Sequence, residues 1–558
     1  MSPVRHWLRL ALPTCAAMQL LGPAAVQAQY DEPPPPAAYA VKNVTLVAAD
    51  GSRQTGLTIV VRGSTIERLG RDSTIPPDAE LLEGDSLFVY PGLIDAQGGA
   101  KLEIPEPEID RRELQPWNPS RDQQGFTPHR RAVDYLQATG TDLQKERAAG
   151  IVAGAALPDG PVMPGRGAVL LYRKDAGTPM ELVLQPALGP VFSLRGARGV
   201  YPGTLFGVVA FIRQSFEDAR HDAAVRTAFE RDPRGLSIPA WDPDYDVLRT
   251  VLAGEAPVYF VVDRAEEIRT ILGLCEEYGI RPVIVGGDEA WRVADRLRSE
   301  RVPVLVSVDF PAPKRWKPTG GPDTTGAAPG EPVDPAVARE RDEFEHLYAN
   351  AGRLSQTGVT IALTSGGGKA DLLEGARKAV AYGLDESAAL AALTSVPAGL
   401  LDIPFLARVE QGLPATFVVA TGPLFEEGTR VAYTFVDGAM ETGRPARKAG
   451  GGDAPAVDLS GVWSMTIEGG GQSFGGRMTL SQDGAEFSGT LDLAEMGPVQ
   501  VTGGSVSGSD VVFTLVIRAG GDVIEMETRG TVDGDAASGT GGGAMGEFTW
   551  TATRIETP

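Results

Sequence analysis

The feature that most constrains this chain is an alternation that runs from Leu87 to about Leu401. Short, continuous apolar runs are separated there by helical stretches. A strand with one wet face alternates apolar and polar residues, whereas a strand covered on both faces is apolar throughout, as in parallel sheets flanked by helices. The apolar runs are Leu87–Ile94, Ile151–Leu157, Glu181–Leu184, Val258–Val262, Pro282–Val285, Val302–Val308 and Val359–Leu363. Helices are expected at Ala265–Tyr278, Glu289–Arg298, Pro335–Ser355 and Ala370–Tyr382. Val169–Tyr172 and Val208–Ile212 are further strand-like pieces that leave the eighth strand ambiguous. This count favours an α/β fold of the (β/α)8 TIM-barrel type over an open doubly wound sheet. No GxGxxG follows the first strand, so the mark of a dinucleotide fold is missing.

The flanks read differently. Residues 41–90 hold short β-branched runs with turns at Asp50-Gly51 and Arg62-Gly63, a unit too small to bury a core alone. Residues 458–558 form a separate all-β unit, a small barrel or sandwich, in which Trp463, Met465 and Ile467 alternate with polar neighbours. Its Gly461-Val462-Trp463 resembles the GxW of lipocalin-like barrels, and a tryptophan plugging one end of a barrel explains it as well. A Pro-rich linker spans 29–40 and a second linker 441–457. Pro311 to Pro335, with seven prolines and four glycines, reads as a long surface loop.

Residues 1–28 read as a signal peptide: Arg5, His6 and Arg9 precede an apolar stretch, and Val26-Gln27-Ala28 suits cleavage. An exported protein, periplasmic or extracellular, is expected, with no membrane insertion after cleavage. The formal charge of -22 argues against nucleic acid as a partner. Beyond the leader only Cys275, His129, His221 and His346 remain of the two cysteines and four histidines. That excludes an internal disulfide and a thiolate zinc site.

Tyr90-Pro91-Gly92-Leu93-Ile94-Asp95 between the β unit and the barrel strands resembles the amidohydrolase superfamily, in its imidazolonepropionase-like branch. Ala389–Leu401, Gln411–Val419 and Asp437-Gly438 resemble the return of that family's chain to its small β unit. The resemblance covers about residues 40–440. It implies a barrel at 91–401 beside a composite β-sandwich of 41–90 and 402–440, and a tendency to form homodimers. It also implies hydrolysis of C–N bonds, typically in cyclic amides, by water activated on a divalent metal such as zinc. Its ligands would be an HxH after the first strand, two later histidines and an aspartate. Here Gln97 and Gly99 replace the HxH, Val261 and Gly286 stand at the later histidine positions, and Ser365-Gly366 replaces Ser-Asp. These departures imply that no metal cofactor is held.

Polar residues still collect at strand ends, where a barrel places its site. Asp95, Gln97, Asp263 and Asp288 are the catalytic candidates, with Asp159, Glu289 and Asp309 nearby. Gly367, Gly368 and Lys369 offer a backbone cradle and a cation for an anion or substrate. The expectation is an exported amidohydrolase relative that has lost catalysis and binds or scaffolds, with a small molecule as its possible ligand. The alternative is an active hydrolase with a carboxylate-based or metal-independent site.

Overall fold

The computed structural model describes residues 38–71, 73–82, 87–107, 115–311, 313, 335–426 and 428–443. It also describes 458–556, with short gaps at turns. The expected signal peptide, the Pro33–Pro36 linker, nearly all of Pro311–Pro335 and residues 444–457 lie outside the described residues.

The two ends of residues 38–443 build one sheet. Strand Phe417–Ala420 pairs antiparallel with Phe88–Pro91, so residues distant in sequence share an eight-stranded sheet. It curls round a core of its own that includes Ile59, Val89, Phe417 and Phe435. The expected strand Leu87–Ile94 is two strands. Phe88–Pro91 belongs to this sheet and Leu93–Asp95 to the barrel. Gly92 makes the passage because a Cβ there would lie 2.3 Å from the Val152 side chain. The second linker also starts later than 441, since strand Ala439–Thr442 completes the sheet.

The barrel strands run parallel in two ladders. Leu93–Asp95 pairs with Ile151–Ala156. Pro190–Ser193, Val258–Val262, Pro282–Gly286, Val304–Ser307 and Ile361–Thr364 follow in sequence order. Alternate residues of the second ladder separate into two cores. Val191, Tyr259, Val283, Val285, Leu305 and Ala362 form one cluster. Phe192, Phe260, Ile284, Val304 and Leu363 join another, with the helices. Both faces are dry, which is why the strands read as continuous apolar runs.

Three expected strands are corrected. Glu181–Leu184 is mostly a 3₁₀ turn, Pro179–Leu182, followed by Val183–Gln185 on a sheet edge. The barrel position passes to Pro190–Ser193. Val208–Ile212 lies inside the long helix Leu205–Arg231, where Val208, Ile212, Ser215, Phe216 and Ala219 form a buried stripe at helical spacing. Val169–Tyr172 is a strand, Ala168–Leu171, but runs antiparallel to Ile151–Ala156. Helix Ala265–Tyr278 has the expected bounds, stopped at Gly279 with φ 71°. The helix expected over Pro335–Ser355 breaks at Ala349 into Pro335–Tyr348 and Asn350–Thr357.

The C-terminal unit is a closed barrel of eight antiparallel strands from Gly461–Gly469 to Gly546–Glu556. Trp463 is buried, donates from Nε1 to the Leu459 carbonyl at 2.9 Å and carries the Arg554 guanidinium 4.4 Å from its ring. Met465, Leu491, Phe513, Leu515 and Trp550 pack with it as a core.

Candidate functional site

The first and last barrel strands meet through Asp95. This residue ends strand Leu93–Asp95 and is 2% exposed. Its Oδ1 accepts from Gln97 N at 3.0 Å, Thr364 Oγ1 at 2.8 Å and Ser365 N at 3.2 Å. Its Oδ2 accepts from Ser365 Oγ. Burial raises its pKa to about 6 and outweighs these hydrogen bonds, which pull the other way. Asp95 is thus a clasp between strands rather than a group facing the mouth.

The mouth itself is a cleft of about 960 Å³. Gln97, Val261, Asp263, Gly366, Gly367 and Lys369 line it, so four of the candidates meet there. Asp95, Gly368 and Asp288 are outside that lining. Asp263 is exposed at the end of strand Val258–Val262. Burial is the first cause of its raised pKa and the charge of Glu267 adds to it. Asp288 is half-buried, and burial followed by the charges of Asp263, Asp309 and Glu289 pushes it up to about 7.

The backbone cradle expected at Gly367 and Gly368 is spent internally. Gly366 N donates to Thr364 Oγ1, Gly367 N to the Gln97 carbonyl at 2.9 Å and Gly368 N to Ser365 Oγ at 2.7 Å. An anion at this loop would therefore be met by the Lys369 side chain. No sequence motif points to the other cations of the cleft, Lys101, Arg130, Arg195 and Arg198, because they come from irregular loops. Arg195 is paired with Asp159 at 2.5 Å and Arg130 with Asp122 at 3.4 Å.

Two of the positions where the resemblance expects metal ligands, Gly99 and Gly286, leave no room for a larger side chain, while Gln97 and Val261 line the cleft with side chains that do not ligate zinc. A Cβ on Gly99 would lie 2.7 Å from the Gly368 Cα, so the Gly366–Gly368 loop occupies the space a side chain would enter. A Cβ on Gly286 would lie 2.2 Å from Asp263 Oδ1, at a backbone φ of 94° that other residues rarely adopt. Ser365 is committed to Asp95. Among the described residues no group of three or more His, Cys, Asp or Glu side chains could hold a metal ion. The residues present do not fit the implied zinc centre. Burial also pushes the Cys275 thiol up to about 12, far from a reactive thiolate.

Gly99→Ala should cost about 2 kcal/mol, because the added carbon meets backbone rather than a side chain that can swing away. Urea unfolding measures this, and an unchanged midpoint would show that the loop yields freely.

No family model matches the chain, and no curated protein matches it by sequence. Solved structures do match. A crystal structure of an amidohydrolase from Thermotoga maritima MSB8 is 23% identical with a TM-score of 0.56, covering 73% of this chain and 100% of that one. An adenosine deaminase from Xanthomonas campestris with bound zinc is 12% identical with a TM-score of 0.39, covering 74% of this chain and 94% of that one. The first of these joins the PGLID passage, the composite sheet and the parallel strands in one conclusion: the chain has the fold of the amidohydrolase superfamily.

Proposed function

We propose that this chain is a binding relative of the amidohydrolases, exported from the cytoplasm, whose barrel mouth receives a small polar molecule instead of running metal-assisted hydrolysis. The contact of Gly99 with Gly368 carries the reading, because it fills the space of an HxH ligand with backbone. The cleft suits an anionic or hydrogen-bonding ligand, since Lys369 and Arg198 line it and have no ion-pair partner among the described residues. Export rests on the N-terminal leader. Among the described residues no helix is long and apolar enough to cross a membrane.

The test is metal content. The chain is dialysed against low zinc, manganese and calcium, and bound ions are counted by mass spectrometry. No stoichiometric ion is expected. Near-stoichiometric zinc would overturn the reading and revive hydrolysis through a different ligand set.

One observation favours a second reading, a metal-independent hydrolase. Burial and the charges of Asp263, Asp309 and Glu289 push Asp288 up to about 7, and a carboxyl in that range can serve as a general acid or base. Turnover of cyclic amides that disappears in Asp288→Asn would support it, and no turnover across a panel of such amides would retire it.

A further inference from the structure

A second cleft, of about 910 Å³, lies between helix Pro243–Leu252 and the segments around His129 and Arg166. It shares no lining residue with the mouth cleft. Its chemistry is unusual for a surface groove. His129 Nδ1 lies 2.5 Å from Asp244 Oδ1. A carboxylate only accepts, so Nδ1 carries the hydrogen. The Asp244 side chain is 5% exposed, and its other oxygen is held by Arg121 Nη1 at 2.7 Å. The imidazole is therefore fixed by a buried, anchored partner, while Nε2 has no partner among the described residues.

Arg166 stands beside it. Its Nη2 donates to the His129 carbonyl at 3.3 Å, and its Nε is buried with no hydrogen-bond partner. No carboxylate among the described residues pairs with it. Its neighbour across a β-bridge is another arginine, Arg131, whose own partner is Asp134 at 2.6 Å. Burial and the Arg131 charge both act to lower the pKa of Arg166. The Asp134 charge acts the other way but is already paired with Arg131, so a half-buried guanidinium with an unpaired donor and no carboxylate of its own is costly, and an oxyanion relieves that cost. The cleft also holds Trp241, 71% exposed, whose ring is steadied by a 2.8 Å bond from Nε1 to Asp246. Two acids line the cleft. Asp246 is committed to Trp241 and Arg249, and Glu255 stands exposed among the lining residues.

We infer that this cleft is a binding site for a small oxyanion, a carboxylate or phosphate, with Arg166 as its charge partner, the Asp244-anchored His129 ring beside it and Trp241 as a platform for an attached apolar body. The site is independent of the mouth reading, and either can fail without the other.

The experiment is isothermal titration of the full chain with inorganic phosphate and, separately, benzoate. Heat of binding is expected for at least one probe, weakened tenfold or more in Arg166→Gln. His129→Gln, altering a ring 42% exposed, provides a second variant that should keep the fold and weaken the same probe severalfold. Trp241→Ala should weaken benzoate and leave phosphate unchanged. Preference for phosphate would assign a phosphorylated ligand. Preference for benzoate, lost with Trp241, would assign an aromatic or aliphatic carboxylate. No heat with either probe overturns the proposal, as does unchanged affinity in both His129→Gln and a folded Arg166→Gln.

Discussion

Asp95→Ala should destabilise the barrel by about 4 kcal/mol, because the buried N–H of Ser365 and the hydroxyls of Thr364 and Ser365 lose their shared acceptor at once. The second half of the expectation is its pH dependence. The folded pKa, about 6, lies above the 3.8 of a free aspartate side chain. Between those values the folded state binds the proton more tightly than the unfolded chain. The contribution of Asp95 to stability is therefore fully present below about pH 4 and is lost as the pH rises through 6. The shift corresponds to about 3 kcal/mol in full, of which about 1.4 kcal/mol is still present at pH 5 and almost none at pH 7.5. This slope is opposite to that of a carboxylate held down by an ion pair. Asp95→Asn keeps the shape and removes the titration. Urea unfolding of both proteins at pH 5 and pH 7.5 should show the original chain gaining on the variant at the lower pH. Equal differences at the two values would mean that Asp95 is ionised throughout and that burial does not dominate.

That clasp shows what the sequence could and could not reveal. The barrel was legible because strands covered on both faces must be apolar throughout, a requirement written into Val258–Val262 or Pro282–Gly286 residue by residue. The PGLID passage was legible because Gly92 and Asp95 answer local demands, a tight passage and a strand end. The third barrel position was not. Glu181–Leu184 and Pro190–Ser193 are both short and apolar, and only the pairing with Val258–Val262 separates them. The helix at Leu205–Arg231 hid Val208–Ile212 because a five-residue window is too short to tell a period of two from 3.6. At the site, Asp95 looked like a mouth carboxylate because its partners, Thr364 and Ser365, lie some 270 residues away. The glycine loop looked like an anion cradle because nothing local reveals that Gln97 and Ser365 already take its N–H groups.

Glu441→Ala should cost about 4 kcal/mol, although the residue sits at the last strand of the composite sheet, far in sequence from the barrel. Its carboxylate accepts from Arg147 Nε at 3.1 Å and Nη2 at 2.9 Å, and Gln144 Nε2 reaches it at 3.3 Å. The two side chains are 3% and 7% exposed. Arg147 belongs to the helix Gln144–Ala148 that leads into barrel strand Ile151–Ala156, and its remaining arm donates to the Gly140 carbonyl at 2.6 Å. The pair therefore ties the sheet to the barrel. Removing one partner strands a buried charge, which is worse than removing both. The double variant Arg147→Met with Glu441→Leu fills the same space without charge and should recover most of the loss. Urea midpoints for the two single variants and the double variant decide it. If the double variant is as unstable as Glu441→Ala, the pair contributes favourable attraction beyond its desolvation cost, and the joint between sheet and barrel depends on charge. If it recovers, the joint depends on packing, and the ion pair serves to fix which strand meets which helix.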